Sequence, residues 1–259
     1  MDINLAINTE QTTKKIIAFI QKALKSAGFS KVIIGLSGGI DSAVSTCLST
    51  QALGEKNVLV GLFPYGQLNR QGLDDAQQLI SQLKIPDTNI IFYDIQPPVD
   101  QILKLDPSAD KVRKGNCIAR VRMILLFDLA KKHKALVLGT ENKTEHFLGY
   151  FTRFGDEASD VEPIRTLYKT QVRQLAKYLN VPSKIIEAVP TAGLWQGQTD
   201  EGEFGFTYAE ADKILHLYID LQKSRQELEL SGFEKGTVER VINRLKKSEF
   251  KHKTPYFLG

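Results

Sequence analysis

Cysteine is scarce in this chain. Only Cys47 and Cys117 occur among 259 residues, without metal-ligand spacing or a disulfide framework. A disulfide-stapled domain and a cysteine-based metal centre are excluded on that ground, and both thiols read as packed side chains rather than catalysts. Long apolar runs are missing too. No stretch reaches the ~18 residues of a membrane-spanning helix, and no leader pattern is seen. The expected compartment is the cytoplasm, with no membrane partner. Nor is there a large excess of one charge: a formal net charge of +4 suits an anionic small molecule and does not call for nucleic acid. Internal repeats, low-complexity tracts and long linkers are absent. What is left, 42% hydrophobic and 25% charged, is ordinary for a globular chain long enough to bury a sizeable core.

Against this background one stretch carries the chemistry, Val32-Ile33-Ile34-Gly35-Leu36-Ser37-Gly38-Gly39-Ile40-Asp41-Ser42. Its apolar, β-branched start reads as a strand buried on both faces. Gly38-Gly39 allow a tight turn and close approach of backbone to a ligand. Ser37, Asp41 and Ser42 then fall where a new helix exposes unpaired N–H donors, which is a place for phosphates. The lysine of the common phosphate-binding loop is missing; Asp41 stands before Ser42 instead. A carboxylate beside phosphates repels them unless a cation lies between, so Asp41 reads as a Mg²⁺ ligand. The competing reading is a plain strand–turn–helix with Ser42 or Asp41 as N-cap.

The remaining periodicity predicts alternation of helices and strands. Helices are expected at 10–27, near 42–53, at 74–83 and at about 116–132. Strands are expected at 57–63, at 89–95 (stopped by Pro97-Pro98) and at 135–138. That order implies right-handed crossovers and an α/β fold with a doubly wound, mainly parallel sheet, whose ligands sit beyond the strand C-termini. After Thr140 the rhythm stops. Residues 165–188 and 207–247 read as helical. One domain over 1–259 is expected, with an α/β core at about 10–165 and a helical C-terminal part at about 166–259.

Two further motifs land at the same sheet edge. In Leu138-Gly139-Thr140-Glu141-Asn142-Lys143-Thr144-Glu145, Thr140 is placed to bond a nucleotide and Glu145 to join Asp41 around a metal ion. The run Gly149 to Asp160 is polar, glycine-punctuated and aromatic. It reads as a substrate loop with Arg153 as an anion or ring contact and Asp160 as an acceptor. Between Gly197 and Glu203 an acidic stretch is either a flexible loop or a lid that orders over bound nucleotide.

Taken together, Ser37 to Ser42, Gly139 to Glu145, Lys114-Gly115-Asn116, Arg120-Val121-Arg122-Met123, Gly155-Asp156, Asp160, Pro163 and Pro190 to Leu194 closely resemble the NAD⁺ synthetase family. This family belongs to the ATP pyrophosphatase group, with an adenine nucleotide alpha hydrolase-like, Rossmann-like fold. The likeness runs from the first strand almost to the end of the chain. It implies that Gly35, Leu36, Ser37, Gly38, Gly39, Ile40, Asp41, Ser42, Thr140, Lys169 and Thr191 meet ATP, and that Asp41 and Glu145 bind Mg²⁺. Asp41 and Lys169 are then the catalytic residues, with Lys169 on the phosphate side. Arg120, Arg153, Asp160, His252 and Lys253 are implied to bind deamido-NAD⁺, Arg153 standing where the family often has lysine. Arg120 and Arg122, roughly 200° apart on a helix, are not expected to face one ligand. Arg120 is the one expected there, and Arg122 is read as a helix-surface or interface ion-pair partner.

The implied reaction is ATP-dependent amidation of deamido-NAD⁺ through an acyl-adenylate, releasing AMP and pyrophosphate. A homodimer is implied as well. Only one helix precedes the first strand, leaving no room for a glutaminase, so ammonia is the expected nitrogen source. Alternatives at this stage are a tRNA-modifying ATP pyrophosphatase and a non-catalytic nucleotide sensor.

Overall fold

The computed structural model describes residues 3–253 and 255–258. Helix α1 (Thr9–Ala27) starts where the Asn8 side chain accepts from the Gln11 amide and stops at Gly28. Then follow β1 (Val32–Gly35), α2 (Ile40–Leu53), β2 (Val58–Leu62), α3 (Arg70–Gln82) and β3 (Ile90–Phe92). Next come α4 (Gln96–Leu103), α5 (Lys111–His133), β4 (Leu136–Leu138) and α6 (Lys143–Leu148). The C-terminal helices are α7 (Lys169–Tyr178), α8 (Ser183–Glu187), α9 (Asp200–Phe204), α10 (Tyr208–Leu215), α11 (Arg225–Leu230) and α12 (Lys235–Ser248).

Two expectations need correction here. Pro97-Pro98 do not merely stop a strand; they sit in the first turn of α4, where a missing N–H is no loss. Helix α5 begins five residues before the expected start, because Asp110 caps it by accepting from the Arg113 amide at 2.8 Å.

The four strands are parallel, in the order β3-β2-β1-β4. Alternate residues of each strand feed opposite faces. Val32, Ile34, Val58, Val60 and Leu62 pack against α1, α2, α3 and α7, whereas Ile33, Leu59 and Val137 pack against α4 and α5. This is the doubly wound arrangement, and β1 and β4 flank the point where strand order reverses. One parallel rung, Leu138 to Val161, extends the sheet past β4. The helices after α8 gather around a separate apolar cluster that includes Leu148, Tyr208, Leu228 and Val241. Cys47 is buried in α2, its thiol pushed up to about 12 by burial, and acts as a packed apolar residue. Among the described residues no helix is long and apolar enough to cross a membrane.

Candidate active site

The C-terminal ends of β1, β2 and β4 open into a cavity of about 390 Å³. Its floor is the β1–α2 turn. Gly38 has φ +82°, and a Cβ there would lie 2.0 Å from the Gly72 carbonyl oxygen, so only glycine fits. The Ser42 hydroxyl donates to the Gly39 carbonyl at 2.9 Å and lies 3.1 Å from the Ser37 hydroxyl, and Gly39 N–H donates to Ser37 Oγ at 3.2 Å. The turn is thereby braced from within while Gly39, Asp41 and Ser42, at the start of α2, line the cavity. Of the expected nucleotide residues, Gly35, Leu36, Ser37, Gly39, Asp41, Ser42, Thr140, Lys169 and Thr191 line it; Gly38 and Ile40 hold the turn from behind.

At the mouth of the turn three charged side chains meet. Lys169 Nζ lies 2.5 Å from Asp41 Oδ2 and 2.8 Å from Glu145 Oε1. Burial disfavours the Lys169 ammonium, but the two carboxylates outweigh it and hold its pKa above the ordinary value. Burial first, and the Asp41 charge second, raise the Glu145 carboxyl. Asn142 anchors the trio from α6, donating to Asp41 Oδ1 at 2.8 Å and accepting the Glu145 amide at 3.0 Å. Asp212 fixes the other side. It accepts from the Thr144 hydroxyl at 2.5 Å and the Thr170 amide at 2.7 Å, while Thr144 Oγ1 in turn accepts the Lys169 amide at 2.9 Å. Tyr208 donates to Asp200 Oδ2 at 2.9 Å and presents its ring to Lys169 at 4.9 Å.

The donor set fits a hard divalent cation such as Mg²⁺: two oxygen ligands of like charge, close enough to share one ammonium. Among the described residues no cluster of three His, Cys, Asp or Glu side chains could hold a metal ion, so phosphate and water oxygens would complete the shell.

On the acceptor side the structure separates the expected residues. The stripe of α5 that lines the cavity is Ala119, Arg122, Met123 and Leu126, and Arg120 is exposed, donating to the Arg153 carbonyl at 3.2 Å. Arg122 is thus no surface ion-pair partner: it is half-buried in the cavity wall, its guanidinium donates to the Phe63 carbonyl at 3.1 Å, and burial lowers its pKa to about 10. Asp160 accepts the Val137 amide at 2.8 Å and so ties its loop to β4. Arg153 lies over Phe250 at 5.6 Å, the His252 ring is 4.1 Å from that of His146, and Lys253 pairs with Glu249. These five residues stand outside the cavity wall, whereas Asp156, Arg244 and Lys251 line it. Asp156 is reached by water from the cavity and enclosed by protein elsewhere, which raises its carboxyl.

The stretch from Leu194 to Glu203 closes one side. Gln198 accepts the Leu194 amide at 2.8 Å, and Asp200 is buried, accepting from Tyr150 at 2.9 Å. No role here was foreseen for Asn142, Tyr208 or Asp212; Asp200 was expected only as part of an acidic stretch, and Arg122 was expected on the surface. The capping position of Asn142 was the one local signal for any of them; the other contacts join distant parts of the chain.

The family model described as NAD synthase matches residues 12–255. A curated NH(3)-dependent NAD(+) synthetase of Fusobacterium nucleatum is 42% identical over 97% of this chain and 96% of its own. An NH3-dependent NAD synthetase from Campylobacter jejuni, solved with a nitrate ion, is 34% identical. It has a TM-score of 0.82 and covers 98% of this chain and 100% of that one. An NMN synthetase from Francisella tularensis, also 34% identical and with the same coverage of 98% and 100%, superposes with a TM-score of 0.86.

Proposed function

This chain belongs to the NAD synthase family, and on that premise we propose that it is an ammonia-dependent NAD⁺ synthetase, a ligase that amidates deamido-NAD⁺ at the expense of ATP. The observation that carries the reading is the Asp41–Lys169–Glu145 trio at the mouth of the phosphate turn. A sensor that only holds nucleotide has no need of a buried ammonium between two carboxylates.

A nicotinate carboxylate oxygen forms a bond to the α-phosphorus of ATP as the bond to the bridging oxygen breaks, and pyrophosphate leaves. Ammonia then adds to the activated carbonyl carbon, its surplus proton passes to a base, and AMP departs with the former carboxylate oxygen. The chain supplies position and charge. The α2 amides, Ser37 and Ser42 hold phosphate oxygens, and Thr140 and Thr191 border the nucleotide. Lys169 turns from the carboxylates toward the leaving pyrophosphate as negative charge grows there. Asp41 and Glu145 would hold Mg²⁺, which when bound neutralises phosphate charge. Residues 194–206 act as a lid, already partly seated through Gln198 and Asp200, that keeps water from the adenylate. We assign Arg120, Arg153, Asp160, His252 and Lys253 to deamido-NAD⁺, at the junction of two copies of the chain.

The test is NAD⁺ formation by the purified protein. Turnover is expected with ammonium and ATP but not with glutamine, and AMP and pyrophosphate should appear in equal amounts. Asp41→Ala should abolish it. Pyrophosphate release independent of deamido-NAD⁺, or turnover on glutamine alone, would refute the reading. Proteolysis between Leu194 and Phe206 should slow when ATP is added; an unchanged rate removes the lid.

A further inference from the structure

Helix α10 carries a row of polar side chains at four-residue intervals: Tyr208, Asp212, His216 and Asp220. The last two bound a π-helical turn, His216–Asp220, that continues the helix. Four residues advance an α-helix by about 400°, so three such steps would carry the row about 120° round the axis. The π turn takes up an extra residue, its Leu221 amide donating to the His216 carbonyl at 3.1 Å, and so slows that drift over the last step. A lone turn of this kind is rare and often marks a functional position.

The row meets two helix starts in register. Lys143, Thr144 and Glu145 open α6; Lys169 and Thr170 open α7, with Tyr168 as its cap. Tyr208 lays its ring by Lys169, and Asp212 accepts from Thr144 and Thr170. Asp220 takes the remaining pair. Its carboxylate accepts from Lys143 Nζ at 2.7 and 2.8 Å and from the Tyr168 hydroxyl at 2.9 Å, and His216 Nδ1 lies 2.9 Å away. Lys143 Nζ also sits 4.4 Å from the centre of the buried Tyr168 ring, and the Lys143 amide donates to the Leu167 carbonyl at 2.8 Å. An exposed ion pair alone is worth little, but here donors from three elements converge on one carboxylate. Burial raises the Asp220 carboxyl; the hydrogen bonds of Lys143, His216 and Tyr168 outweigh it and hold the group below the ordinary carboxylate range.

None of Lys143, Tyr168, His216 and Asp220 lines the cavity. The two residues that Asp220 grips are nevertheless next in sequence to ones that act there. Lys143 follows Asn142, which bonds Asp41 and the Glu145 amide, and Tyr168 precedes Lys169. We propose that Asp220 is a positioning residue: by joining Lys143 to Tyr168 it fixes the start of α7 against the start of α6. It thereby sets where the Lys169 ammonium stands relative to Asp41 and Glu145 as pyrophosphate departs. This rests on the ligase reading above. Before reaction the two carboxylates hold Lys169 by themselves, so substrate binding does not depend on Asp220. Once Lys169 turns to the leaving group, the helix start alone keeps it in place, and the effect belongs to kcat rather than KM.

The test measures NAD⁺ formation from deamido-NAD⁺, ATP and ammonium by wild type, Asp220→Asn, Asp220→Ala, Lys143→Met and the double variant Lys143→Met/Asp220→Ala. Glu227→Ala serves as the reference for stability alone, since Glu227 on α11 accepts from Lys223 at 2.7 Å and from the Ser224 hydroxyl at 2.9 Å, apart from the row. Melts check that each variant is folded at the assay temperature, and Asp220→Asn decides if Asp220→Ala does not fold. Asp220→Ala is expected to lower kcat about tenfold, and Asp220→Asn, which keeps an acceptor for Tyr168, by less. KM for ATP and for deamido-NAD⁺ should stay within about twofold. Lys143→Met should lower kcat too, and the double variant no further than Asp220→Ala, because both act through one contact. Glu227→Ala should lower the unfolding temperature and leave kcat within about twofold. Unchanged kcat in the folded Asp220 variants, additive losses in the double variant, or an equal fall in kcat for Glu227→Ala overturns the proposal alone. A wild type that forms no NAD⁺ overturns the ligase reading, and this proposal with it.

Discussion

Replacing Lys169 by methionine tests the centre of the site. The substitution keeps the length of the side chain and removes its charge. Asp41 and Glu145 are then left facing each other with no cation between them. In the wild type their side chains retain 15% exposure each, against 4% for Lys169. Removing one partner of a buried pair costs about 3–5 kcal/mol. Because the cavity lets water reach both carboxylates, the lower end, about 3 kcal/mol, is expected here. At about 2–4 °C per kcal/mol for a chain of this size, the unfolding temperature should fall by about 6–12 °C.

A second arm identifies the cause. With Lys169 in place, millimolar Mg²⁺ without nucleotide should hardly move the unfolding temperature, because the ammonium already compensates both carboxylates. In the methionine variant the same Mg²⁺ should restore several degrees. Circular dichroism melts of both proteins, with and without Mg²⁺, give all four numbers. A variant that melts within about 1 °C of wild type, or equal stabilisation of the two proteins by Mg²⁺, would refute the reasoning. NAD⁺ formation by the variant should fall at least about a hundredfold.

Other outcomes follow from the same geometry. Gly38→Ala would combine a strained φ of +82° with a Cβ 2.0 Å from backbone oxygen, so a loss of about 3 kcal/mol in urea unfolding and weakened ATP binding by calorimetry are expected. Asp212→Ala strips the acceptor from the Thr144 hydroxyl and the Thr170 amide; urea unfolding should record a loss of about 2–3 kcal/mol. Glu162 is half-buried beside Gly139, and burial raises its carboxyl from 4.5 to about 7; Glu141 is raised to about 8, Arg165 offsetting only part of that burial. Carboxyls raised in the folded state contribute their full stability below pH 4.5 and lose it as pH rises through about 7–8. Glu162→Gln should therefore match wild type near pH 5 and exceed it by about 2 kcal/mol at pH 8, as read by melts across that range; a constant difference would contradict the assignment.

The β1 turn was legible because three local features coincide there: a buried apolar run, a glycine pair and an acid where phosphate loops carry lysine. The parallel α/β order followed from alternation alone. What escaped is non-local. On α5 the stripe Ile118, Val121, Leu125 and Leu129 packs into the core, but the next stripe round, Ala119 to Leu126, faces the cavity and carries Arg122 with it. Nothing in the periodicity says which of two neighbouring stripes meets a cavity; the sheet under α5 decides. Asp200, Tyr208 and Asp212 sit in a region that reads as plain amphipathic helix and acidic loop. Their roles come from tertiary approach to Lys169 and Thr144. Helix α4 was missed for the opposite reason: its two prolines, strong breakers elsewhere, are harmless in a first turn.

The rung between Leu138 and Val161 has a consequence for how such an enzyme changes over time. The segment from Gly149 to Asp160 leaves the end of α6 and is stitched back to the sheet by the Asp160 and Gly139 amides, donating at 2.9 and 2.8 Å to the Val137 and Val161 carbonyls. Both ends are moored, and the Phe154 tip is exposed between them. Lengthening a loop whose ends are held adds little closure entropy, about 0.6 kcal/mol per doubling. Residues can therefore be inserted or exchanged at that tip while the adenylating half stays in register. The loop that carries Arg153 and the half that carries the phosphate turn are separately evolvable parts of one chain.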